Sequence, residues 1–383
     1  MTSASSELRA LIIGAGIGGL SAAIALGKRG VKAHLVERSK LWDVYGVGII
    51  LQSNAIRALD ALGLSDACVA EGFPYSVSSY FDAAGNMLRN RPKPNVGDSR
   101  FPSSCGIQRR SLHRILSREA LSLGAHVDLG TTVTSLTQHA SHVEAQLSDG
   151  RRLVCDLVIG SDGVNSATRQ MLFGDVVRPV FTGQGCWRFT APRLPEVDRA
   201  IFQRGEKSVA GLIPLANEQM YLLLLTPEPE NPWFKTEELQ AGLAQRLEGY
   251  GGLVGKVASK LPAGEDIVYR PLEPLLLPAP WAKGRVVLIG DAVHSTTPHL
   301  AQGASMAFED AVVLGELLFD SGLDVPSALA RFTSRRFARC QRIVETSKQL
   351  GCWQLEQWAG RGYDNADSVG LSAQVLEELR API

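Results

Sequence analysis

A glycine-rich turn between a strand and a helix is the sequence feature that constrains this chain most. Residues 9–13 form an apolar run typical of a buried strand, and residues 20–28 form an alanine-rich segment typical of a helix. Gly14, Gly16 and Gly19 lie between them with the spacing GxGxxG. There the first glycine permits a tight turn, the second lets a pyrophosphate approach the backbone, and the third lets helix and strand pack closely. The helix N-terminus offers free N–H groups to the phosphates.

A carboxylate follows at the distance that a dinucleotide-binding βαβ unit requires. Residues 32–37 predict the second strand, and Glu37 ends it, where a carboxylate accepts hydrogen bonds from an adenosine ribose. An acid at this position disfavours a 2′-phosphate, so we expect FAD or NAD in this pocket, and not NADP. The motif alone does not separate FAD from NAD. The alternative is an ordinary glycine turn, with Glu37 as a surface carboxylate.

Charge and hydropathy exclude two classes of function. Lys plus Arg and Asp plus Glu both total 39 among 383 residues, so we expect no nucleic-acid partner. No apolar stretch reaches the roughly 18 residues of a membrane span, and the N-terminus lacks a secretory pattern, which favours a cytoplasmic location. The cysteines show no metal-ligand spacing, so we expect no metal and six buried, reduced thiols. They are Cys68, Cys105, Cys155, Cys186, Cys340 and Cys352.

The order of strand and helix patterns predicts two interleaved lobes. Strands are predicted at residues 127–136, 142–147 and 153–159, a loop around Pro92 and Pro94, and a separate antiparallel sheet within residues 177–268. Residues 285–289 restore a buried strand, and helices are predicted at residues 304–318, 327–349, 352–358 and 371–379. We therefore predict an α/β fold with a Rossmann-like lobe (residues 1–72, 101–176 and 271–383, with C-terminal helices) and a mixed or antiparallel β-sheet lobe (residues 73–100 and 177–270).

Two distant segments carry further motifs. Residues 156–169 read DLVIGSDGVNSATR, and residues 284–298 read GRVVLIGDAVHSTTP. With the glycine turn before them, these segments resemble the single-component (class A) flavoprotein monooxygenases, the group that includes p-hydroxybenzoate, salicylate and urate hydroxylases. The resemblance covers nearly the whole chain. Cys186-Trp187-Arg188 and the segment before Arg109 look closest to the alkylquinolone 3-hydroxylases.

The resemblance implies FAD as the bound dinucleotide and assigns contacts to matching positions. Asp291 would bond the ribityl chain, and Asp162 would lie near the pyrophosphate and help to organise FAD and NAD(P)H binding. Arg109 would contact the flavin, although a surface arginine is the alternative. The predicted cofactor set is Gly14, Gly16, Gly18, Gly19, Glu37, Arg38, Gly48, Arg109, Asp162, Asp291, Pro298, Gln302, Gly303 and Ala304.

Two of these assignments have independent support from the residues. A strand that ends in Gly-Asp places Asp291 at a carboxyl edge, where open α/β sheets bind ligands. Gln302, Gly303 and Ala304 lead into a helix whose N–H groups would stabilise an anionic reduced flavin. A helix or turn cap is the alternative role for Asp291.

The chemistry implied by the resemblance is aromatic hydroxylation. NADH or NADPH would reduce FAD, O2 would form a flavin C4a-hydroperoxide, and an aromatic or N-heteroaromatic small molecule would be hydroxylated. No second nucleotide motif is present in the sequence, so NADH and NADPH are not distinguished. The protein would act as a monomer or a homodimer.

The substrate cavity is expected between the flavin and the middle sheet. Its predicted contacts are Trp187, Arg188, Leu212, Pro214, Tyr221 and Leu223. Tyr221, His299 and Pro298 are the candidate catalytic residues: Tyr221 as a polar contact, His299 as a base or orienting group, and Pro298 as a neighbour of the flavin ring. A core tyrosine and a structural histidine are the alternatives. The segment around Val209 lacks the arginine that urate hydroxylases use there, which argues against urate.

Other functions remain open at this stage. An epoxidase or an antibiotic-modifying oxygenase would use the same machinery, and an FAD dehydrogenase or oxidase would transfer no oxygen to its substrate. A nucleotide-sensing protein would bind without turnover. A flavin-dependent halogenase is disfavoured because the chain contains no WxWxIP segment.

Overall fold

The helices and strands come from a computed structural model that describes residues 8–42, 47–362 and 368–383. The strands are β1 (Ala10–Ile13), β2 (His34–Glu37), β3 (Gly48–Gln52), β4 (Phe73–Tyr75), β5 (Val77–Phe81), β6 (Met87–Pro92), β7 (Ser104–Gln108), β8 (His126–Leu129), β9 (Val133–Gln138), β10 (Val143–Leu147), β11 (Arg152–Cys155), β12 (Leu157–Gly160), β13 (Gln184–Pro192), β14 (Ala200–Arg204), β15 (Val209–Leu215), β16 (Gln219–Pro227), β17 (Val268–Pro271), β18 (Ala282–Lys283) and β19 (Val286–Leu288). The helices are α1 (Ile17–Gly27), α2 (Ser53–Ala61), α3 (Ser65–Ala70), α4 (Arg109–Ser122), α5 (Ala167–Phe173), α6 (Thr236–Arg246), α7 (Gly252–Ala258), α8 (Asp291–His294), α9 (Gly303–Phe319), α10 (Val325–Trp358) and α11 (Ser368–Glu378).

A six-stranded sheet forms around β1 with the order β18-β19-β12-β1-β2-β8. All its pairs are parallel except the edge pair β18–β19. Strands β1, β12 and β19 are buried along their whole length, as expected for parallel strands that are covered by helices. Helix α1 packs between α4 and α9. The carboxyl ends of β1, β12 and β19 therefore meet at one edge of the sheet.

A seven-stranded sheet with the order β17-β13-β16-β15-β14-β5-β6 forms the second layer. Its pairs are antiparallel except β14–β5, which is parallel. Two of its strands come from residues 77–92 and five from residues 184–271, while the six-stranded sheet takes strands from before, between and after these segments. The predicted interleaved α/β architecture is confirmed. The residue boundaries of the two lobes remain predictions.

The two faces of the seven-stranded sheet have separate apolar clusters. Helices α6 and α7 cover one face, where Trp187, Phe189, Leu212 and Leu222 are buried. The Trp187 ring lies 4.8 Å from the ring of Phe234, 4.6 Å from the ring of Tyr269 and 4.8 Å from the Arg246 guanidinium. The opposite face contributes Ile213, Leu215 and Tyr221 to a second cluster. Because side chains alternate along a strand, neighbouring residues belong to different clusters.

Four predicted segments differ from the structure. The predicted strand at residues 127–136 is two strands, β8 and β9, which belong to different sheets, and residues 153–159 divide in the same way into β11 and β12. Residues 352–358 are the last turns of the single helix α10. The predicted loop around Pro92 contains β6, which is an edge strand, where a proline without an N–H group removes no ladder hydrogen bond.

Two expectations from the sequence concern the burial of the cysteines and the presence of membrane-spanning segments. Five cysteines are buried, but Cys352 is exposed, so the expectation of burial was wrong for this residue. Burial raises the pKa of Cys68 and Cys105 to about 12. None of the helices in the described ranges has the length and apolar character needed to cross a bilayer.

The first prediction concerns Trp187. Trp187→Ala should lower the free energy of unfolding by about 3–5 kcal/mol, because it opens a cavity among packed aromatic rings. Urea unfolding followed by far-UV circular dichroism measures this change. Trp187→Phe should lower the free energy of unfolding by a smaller amount. A Trp187→Ala protein as stable as the wild type would contradict the packing described above.

Candidate active site

A cavity of about 1300 Å³ lies between the two sheets. Its walls include the glycine turn, the loop after β12, the segment from Gly290 to Ala307, and one face of the seven-stranded sheet. Pockets for single small ligands measure about 300–1,000 Å³. The cavity therefore has room for a cofactor and a second molecule.

The glycine turn forms one end of the cavity. Gly14 has φ +100°, and a Cβ atom there would lie 2.4 Å from the carbonyl oxygen of Ser161. A Cβ on Gly19 would lie 1.9 Å from the carbonyl oxygen of Gly14, so helix and strand approach closely at this point. Helix α1 begins after Gly16 without a side-chain cap, and Gly16 to Gly18 line the cavity. Its free N–H groups can therefore bind phosphate.

Side chains from three elements hold the Ala15 peptide of this turn. The Ala15 N–H donates to Glu37 Oε2 at 3.0 Å, and the Ala15 carbonyl lies 3.1 Å from His113 Nε2 and 3.3 Å from the donor Trp42 Nε1. Glu37 Oε1 accepts from the N–H of Ser39 at 2.9 Å. Glu37 and the exposed Arg38 are not part of the cavity wall. The ribose contact predicted for Glu37 and the cofactor contact predicted for Arg38 remain predictions.

Asp162 organises the loop after β12 and does not line the cavity. Its Oδ1 accepts from Ser166 Oγ at 2.5 Å, and its Oδ2 accepts from the N–H and Oγ1 of Thr168, each at 2.9 Å. The neighbouring Ser161 and Gly163 do line the cavity. Asp162 thus holds the loop behind the cavity wall, and its predicted role in FAD and NAD(P)H binding remains a prediction.

Arg169 is a functional candidate that the motif contained but the sequence reasoning did not assign. Its Nη1 donates to the carbonyl of Ala292 at 2.9 Å, and its Nη2 donates to the carbonyl of Val164 at 2.9 Å. Since these carbonyls belong to the two motif segments, Arg169 fixes one against the other. Its position at the end of the 156–169 motif was the available signal.

Asp291 and Arg109 both line the cavity, and their charges influence each other. Asp291 follows β19 as the first residue of α8, lines the cavity, and makes no hydrogen bond through its carboxylate within the described parts of the chain. Burial raises the pKa of Asp291, although His294 and Arg109 oppose that change. Burial lowers the pKa of Arg109, with Arg188 adding to the effect and Asp291 opposing it. Neither the cap alternative for Asp291 nor the surface alternative for Arg109 agrees with this geometry.

A buried ionic cluster supports the turn that carries Asp291. Asp310 Oδ2 accepts from the Gly290 N–H at 2.9 Å and lies 2.6 Å from His294 Nε2. Arg336 Nε donates to Asp310 Oδ1 at 2.8 Å, and its Nη1 donates to Glu309 Oε2 at 2.8 Å. Burial alone would raise the pKa of Asp310, but the charges of His294 and Arg336 lower it to about 2. We call this set, with Arg339, the Arg336 cluster.

The same cluster sets the start of α9. Asn54 Nδ2 donates to Glu309 Oε1 at 3.1 Å and to Gln302 Oε1 at 2.9 Å, and Gln302 Nε2 donates back to Asn54 Oδ1 at 3.1 Å. These bonds turn the Gln302 side chain inward. Gln302, Gly303 and Ala304 line the cavity, and no side chain caps α9. A second uncapped helix N-terminus therefore borders the cavity.

His299 lies in the short turn that follows Pro298, and both residues line the cavity. His299 Nε2 lies 3.0 Å from Gln354 Oε1, which can only accept, so this nitrogen carries the proton. His299 Nδ1 then accepts from Thr297 Oγ1 at 2.8 Å. Burial lowers the pKa of His299 to about 4. Both ring nitrogens therefore have hydrogen-bond partners, and the role of His299 as a base or an orienting group remains a prediction.

The cavity-facing row of the seven-stranded sheet follows from its register. Arg188 pairs with Leu223, Leu223 with Gly211, Gly211 with Phe202, and Phe202 with Tyr80. The side chains of this row line the cavity, apart from Gly211, which has none. The rings of Phe202 and Tyr80 are stacked, with their centroids 5.6 Å apart.

Three predicted substrate contacts lie on the other face. Trp187 and Leu212 are buried beneath α6 and α7, and Pro214 pairs with Met220 of the same cluster. None of the three lines the cavity, so their prediction as substrate contacts was wrong. The period of two along a strand places them opposite their neighbours Arg188 and Ile213.

Tyr221 occupies a space that two other residues define. A Cβ atom on Gly48 would lie 2.1 Å from Tyr221 Cδ1, so only glycine leaves room for the ring. Burial raises the pKa of Tyr221, and the neighbouring charge of Arg188 lowers it less. Arg188 Nε donates to Cys186 Sγ at 3.1 Å. The Tyr221 phenol, Arg188 and Gly48 thus border one part of the cavity.

Comparison with known proteins decides the family. The family described as FAD binding domain matches residues 7–347. The chain belongs to this family. It is 33% identical to the 2-heptyl-3-hydroxy-4(1H)-quinolone synthase of Pseudomonas aeruginosa over 91% of this chain and 89% of that protein. It is 30% identical to the FAD-dependent urate hydroxylase of Klebsiella pneumoniae over 88% of each chain.

Solved structures agree with this assignment. The crystal structure of Klebsiella pneumoniae HpxO complexed with FAD and uric acid matches 97% of this chain and 92% of that chain, with a TM-score of 0.82 and 27% identity. The predicted resemblance to the single-component flavoprotein monooxygenases is confirmed. This member of the FAD binding domain family is an FAD-dependent monooxygenase.

The cavity of this FAD-dependent monooxygenase fits FAD. Space is open around the Cβ position of Gly16, beside the N-terminus of α1, where a pyrophosphate would bind. Asp291 would offer ribityl hydroxyls a carboxylate that makes no hydrogen bond among the described residues, and the N-terminus of α9 would offer N–H groups to an anionic ring. Arg109 lines the same cavity and completes the set of residues that would hold the flavin.

The second prediction tests Asp291. Asp291→Ala should raise the dissociation constant for FAD by about 10- to 100-fold, since hydrogen bonds to a charged group contribute roughly 1.5–3 kcal/mol. Titration of apoprotein with FAD, followed by flavin fluorescence, measures the change. Asp291→Asn should lose less affinity. The apoprotein should melt at about the same temperature, because the Asp291 side chain is exposed in the open cavity and its carboxylate makes no hydrogen bond among the described residues. Unchanged FAD affinity would exclude the assigned role.

The third prediction concerns His299. The pKa of about 4 in the folded protein lies below the ordinary 6.5, so the unfolded chain binds more protons between these values. The stability from neutral His299 is therefore complete above pH 6.5 and is lost as the pH falls toward 4. The difference in unfolding free energy between wild type and His299→Gln should shrink from pH 8 to pH 5 in urea titrations. A larger difference at pH 5 would mean that the folded imidazole is charged.

Proposed function

We propose that this FAD-dependent monooxygenase hydroxylates an aromatic or N-heteroaromatic small molecule, with NADH or NADPH as reductant and O2 as oxygen donor. One observation carries the proposal: the cavity that fits FAD continues onto a sheet face where Arg188, Leu223, Phe202 and Tyr221 lie together. Apolar and aromatic walls with a few polar groups are typical of sites for small aromatic ligands.

Tyr221 and Arg188 would orient the substrate. Because burial raises the pKa of Tyr221, its phenol keeps its proton at neutral pH and donates a hydrogen bond to a substrate oxygen or nitrogen. Arg188 lies beside it and would stabilise negative charge that develops on a ring hydroxyl as it loses its proton. Leu223 and Phe202 would exclude water from the reacting ring.

The turn after α8 would position the reacting edge of the substrate. Pro298 has a fixed backbone and lines the cavity, and the neutral His299 joins this turn to α10 through Gln354. Gln52 Nε2 donates to the carbonyl of Leu300 at 2.6 Å and holds the other side of the turn. FAD, when bound and reduced, supplies the activation of O2. The roles of Pro298 and His299 are then to shape and hold the turn.

The fourth prediction is catalytic. Oxygen uptake driven by NADH or NADPH should accelerate with at least one compound from a panel of phenolic acids and N-heteroaromatics that includes alkylquinolones. That compound should yield a hydroxylated product and little hydrogen peroxide. Product, peroxide and oxygen uptake are measured together with the FAD-loaded protein. Slow uptake with stoichiometric peroxide for every compound would favour an oxidase.

Tyr221→Phe is the matched variant for this experiment. It keeps the ring against Gly48 and removes only the hydroxyl. We expect a lower ratio of product to peroxide with the accelerating compound, because the substrate is held less well while oxygen is activated. An unchanged ratio would remove Tyr221 from substrate orientation.

A further inference from the structure

Lys93 extends the pairing of β6 at the edge of the seven-stranded sheet. Its N–H donates to the carbonyl of Ser76 at 2.9 Å. Because Ser78 pairs with Arg91 and Tyr80 with Arg89, the alternation along the strand gives Lys93 the same face as Arg91. This is the face that Tyr80 presents to the cavity, and Lys93 lines the cavity too. The side chain of Lys93, at the edge of the sheet, therefore lines the cavity.

The ammonium of Lys93 has an aromatic neighbour and no anion. Its Nζ lies 5.7 Å from the centroid of the Tyr75 ring, and Tyr75 packs in the same apolar cluster as Tyr221. No carboxylate of residues 8–42, 47–362 or 368–383 pairs with it. Burial lowers the pKa of Lys93 to about 8, and no charged group contributes to that change. A desolvated cation without a counterion is costly, and a bound anion would offset the cost.

The other cations in the cavity wall each have a neighbouring partner. Arg270 Nη1 donates to the carbonyl of Tyr269 at 3.1 Å. Arg188 donates to Cys186 Sγ, and Arg91 Nη1 donates to the carbonyl of Val369 at 3.5 Å. Arg109 interacts with the charge of Asp291. The Lys93 ammonium makes no hydrogen bond and no ion pair among the described residues, so it is available to a ligand at the far end of the Arg188–Tyr80 row. Four strand spacings of about 4.8 Å place the two ends of this row roughly 19 Å apart along the sheet.

We propose that Lys93 is a substrate-recognition residue, and that the substrate carries an anionic substituent, a carboxylate or its equivalent, which the Lys93 ammonium binds. The ring then lies against the stacked Phe202 and Tyr80 side chains. This inference rests on the proposed hydroxylase function and names the chemical class of its substrate. The anion belongs to the aromatic substrate and not to a coenzyme phosphate, because Lys93 neighbours the Tyr75 and Tyr221 cluster while the glycine turn borders another part of the cavity.

The test compares two planar probes that differ in charge. FAD-loaded enzyme is titrated with 2-naphthoate and with 2-naphthamide, and binding is followed by calorimetry and by the flavin absorbance. We expect the wild type to bind the carboxylate about tenfold more tightly than the amide. In Lys93→Met the two dissociation constants should agree within about twofold, and Lys93→Arg should retain the preference.

Two further variants make the result specific to Lys93. Lys283→Met removes an exposed lysine of β18 that does not line the cavity, and it should leave the preference for the carboxylate unchanged. The melting temperature of Lys93→Met should equal or exceed that of the wild type, since an unpaired cation is removed. If Arg188→Met abolishes the preference and Lys93→Met does not, the anion binds at Arg188 and the proposal is overturned.

The remaining outcomes separate this inference from the hydroxylase function. If the wild type binds both probes equally, or binds only the amide, the Lys93 proposal is wrong. The hydroxylase function is still tested independently by the measurement of oxygen uptake and product. If Lys93→Met raises the KM for NADPH but not for NADH, and leaves the naphthoate preference intact, Lys93 serves the coenzyme instead. Failure of naphthoate to bind at all also overturns the proposal.

Discussion

Arg336 forms ion pairs with two buried carboxylates, and the residues that would hold the flavin depend on these ion pairs. Arg336, Asp310 and Glu309 have no solvent-exposed side-chain surface, so each charge must be neutralised within the protein. Asp310 uses its second oxygen to hold Gly290, and Glu309 acts through Asn54 to hold Gln302. Removal of one partner from such a cluster costs about 3–5 kcal/mol, because the remaining charge is left buried and alone. One ionic contact therefore sets both the Asp291 turn and the start of α9.

The two sheets contribute different kinds of chemical group to the cavity. The six-stranded sheet contributes loop and helix termini, whose backbone N–H groups suit a cofactor with phosphates and a ring of fixed shape. The seven-stranded sheet contributes side chains from separate strands, among them Arg188, Leu223 and Phe202. A strand offers alternate side chains to the cavity and to the core behind it. The substrate wall can thus change residue by residue while the packing beneath α6 and α7 is kept.

The sequence predicted much of this arrangement because local motifs specify backbone geometry. The glycine turn, the strand that leads to Asp291 and the helix after Gln302 all lie where their patterns indicated. Which face of a strand meets the cavity depends on the partner layers, and so Trp187 was placed on the wrong side. Lys93 was missed because the nearby prolines were typical of a loop, while an edge strand tolerates them. Arg336 carried no signal, since its partners are 26 and 27 residues away in the sequence.

The length of α10 has a consequence for the order in which the protein matures. This one helix provides Arg336 beneath the Asp291 turn and Gln354 beside His299, and both come after the whole of the six-stranded sheet has been synthesised. Synthesis runs from the N-terminus to the C-terminus, so α9 emerges from the ribosome before α10. A chain that has emerged only as far as α9 carries Glu309 and Asp310 without Arg336. The ionic support beneath the flavin pocket is therefore complete only once translation has passed through α10.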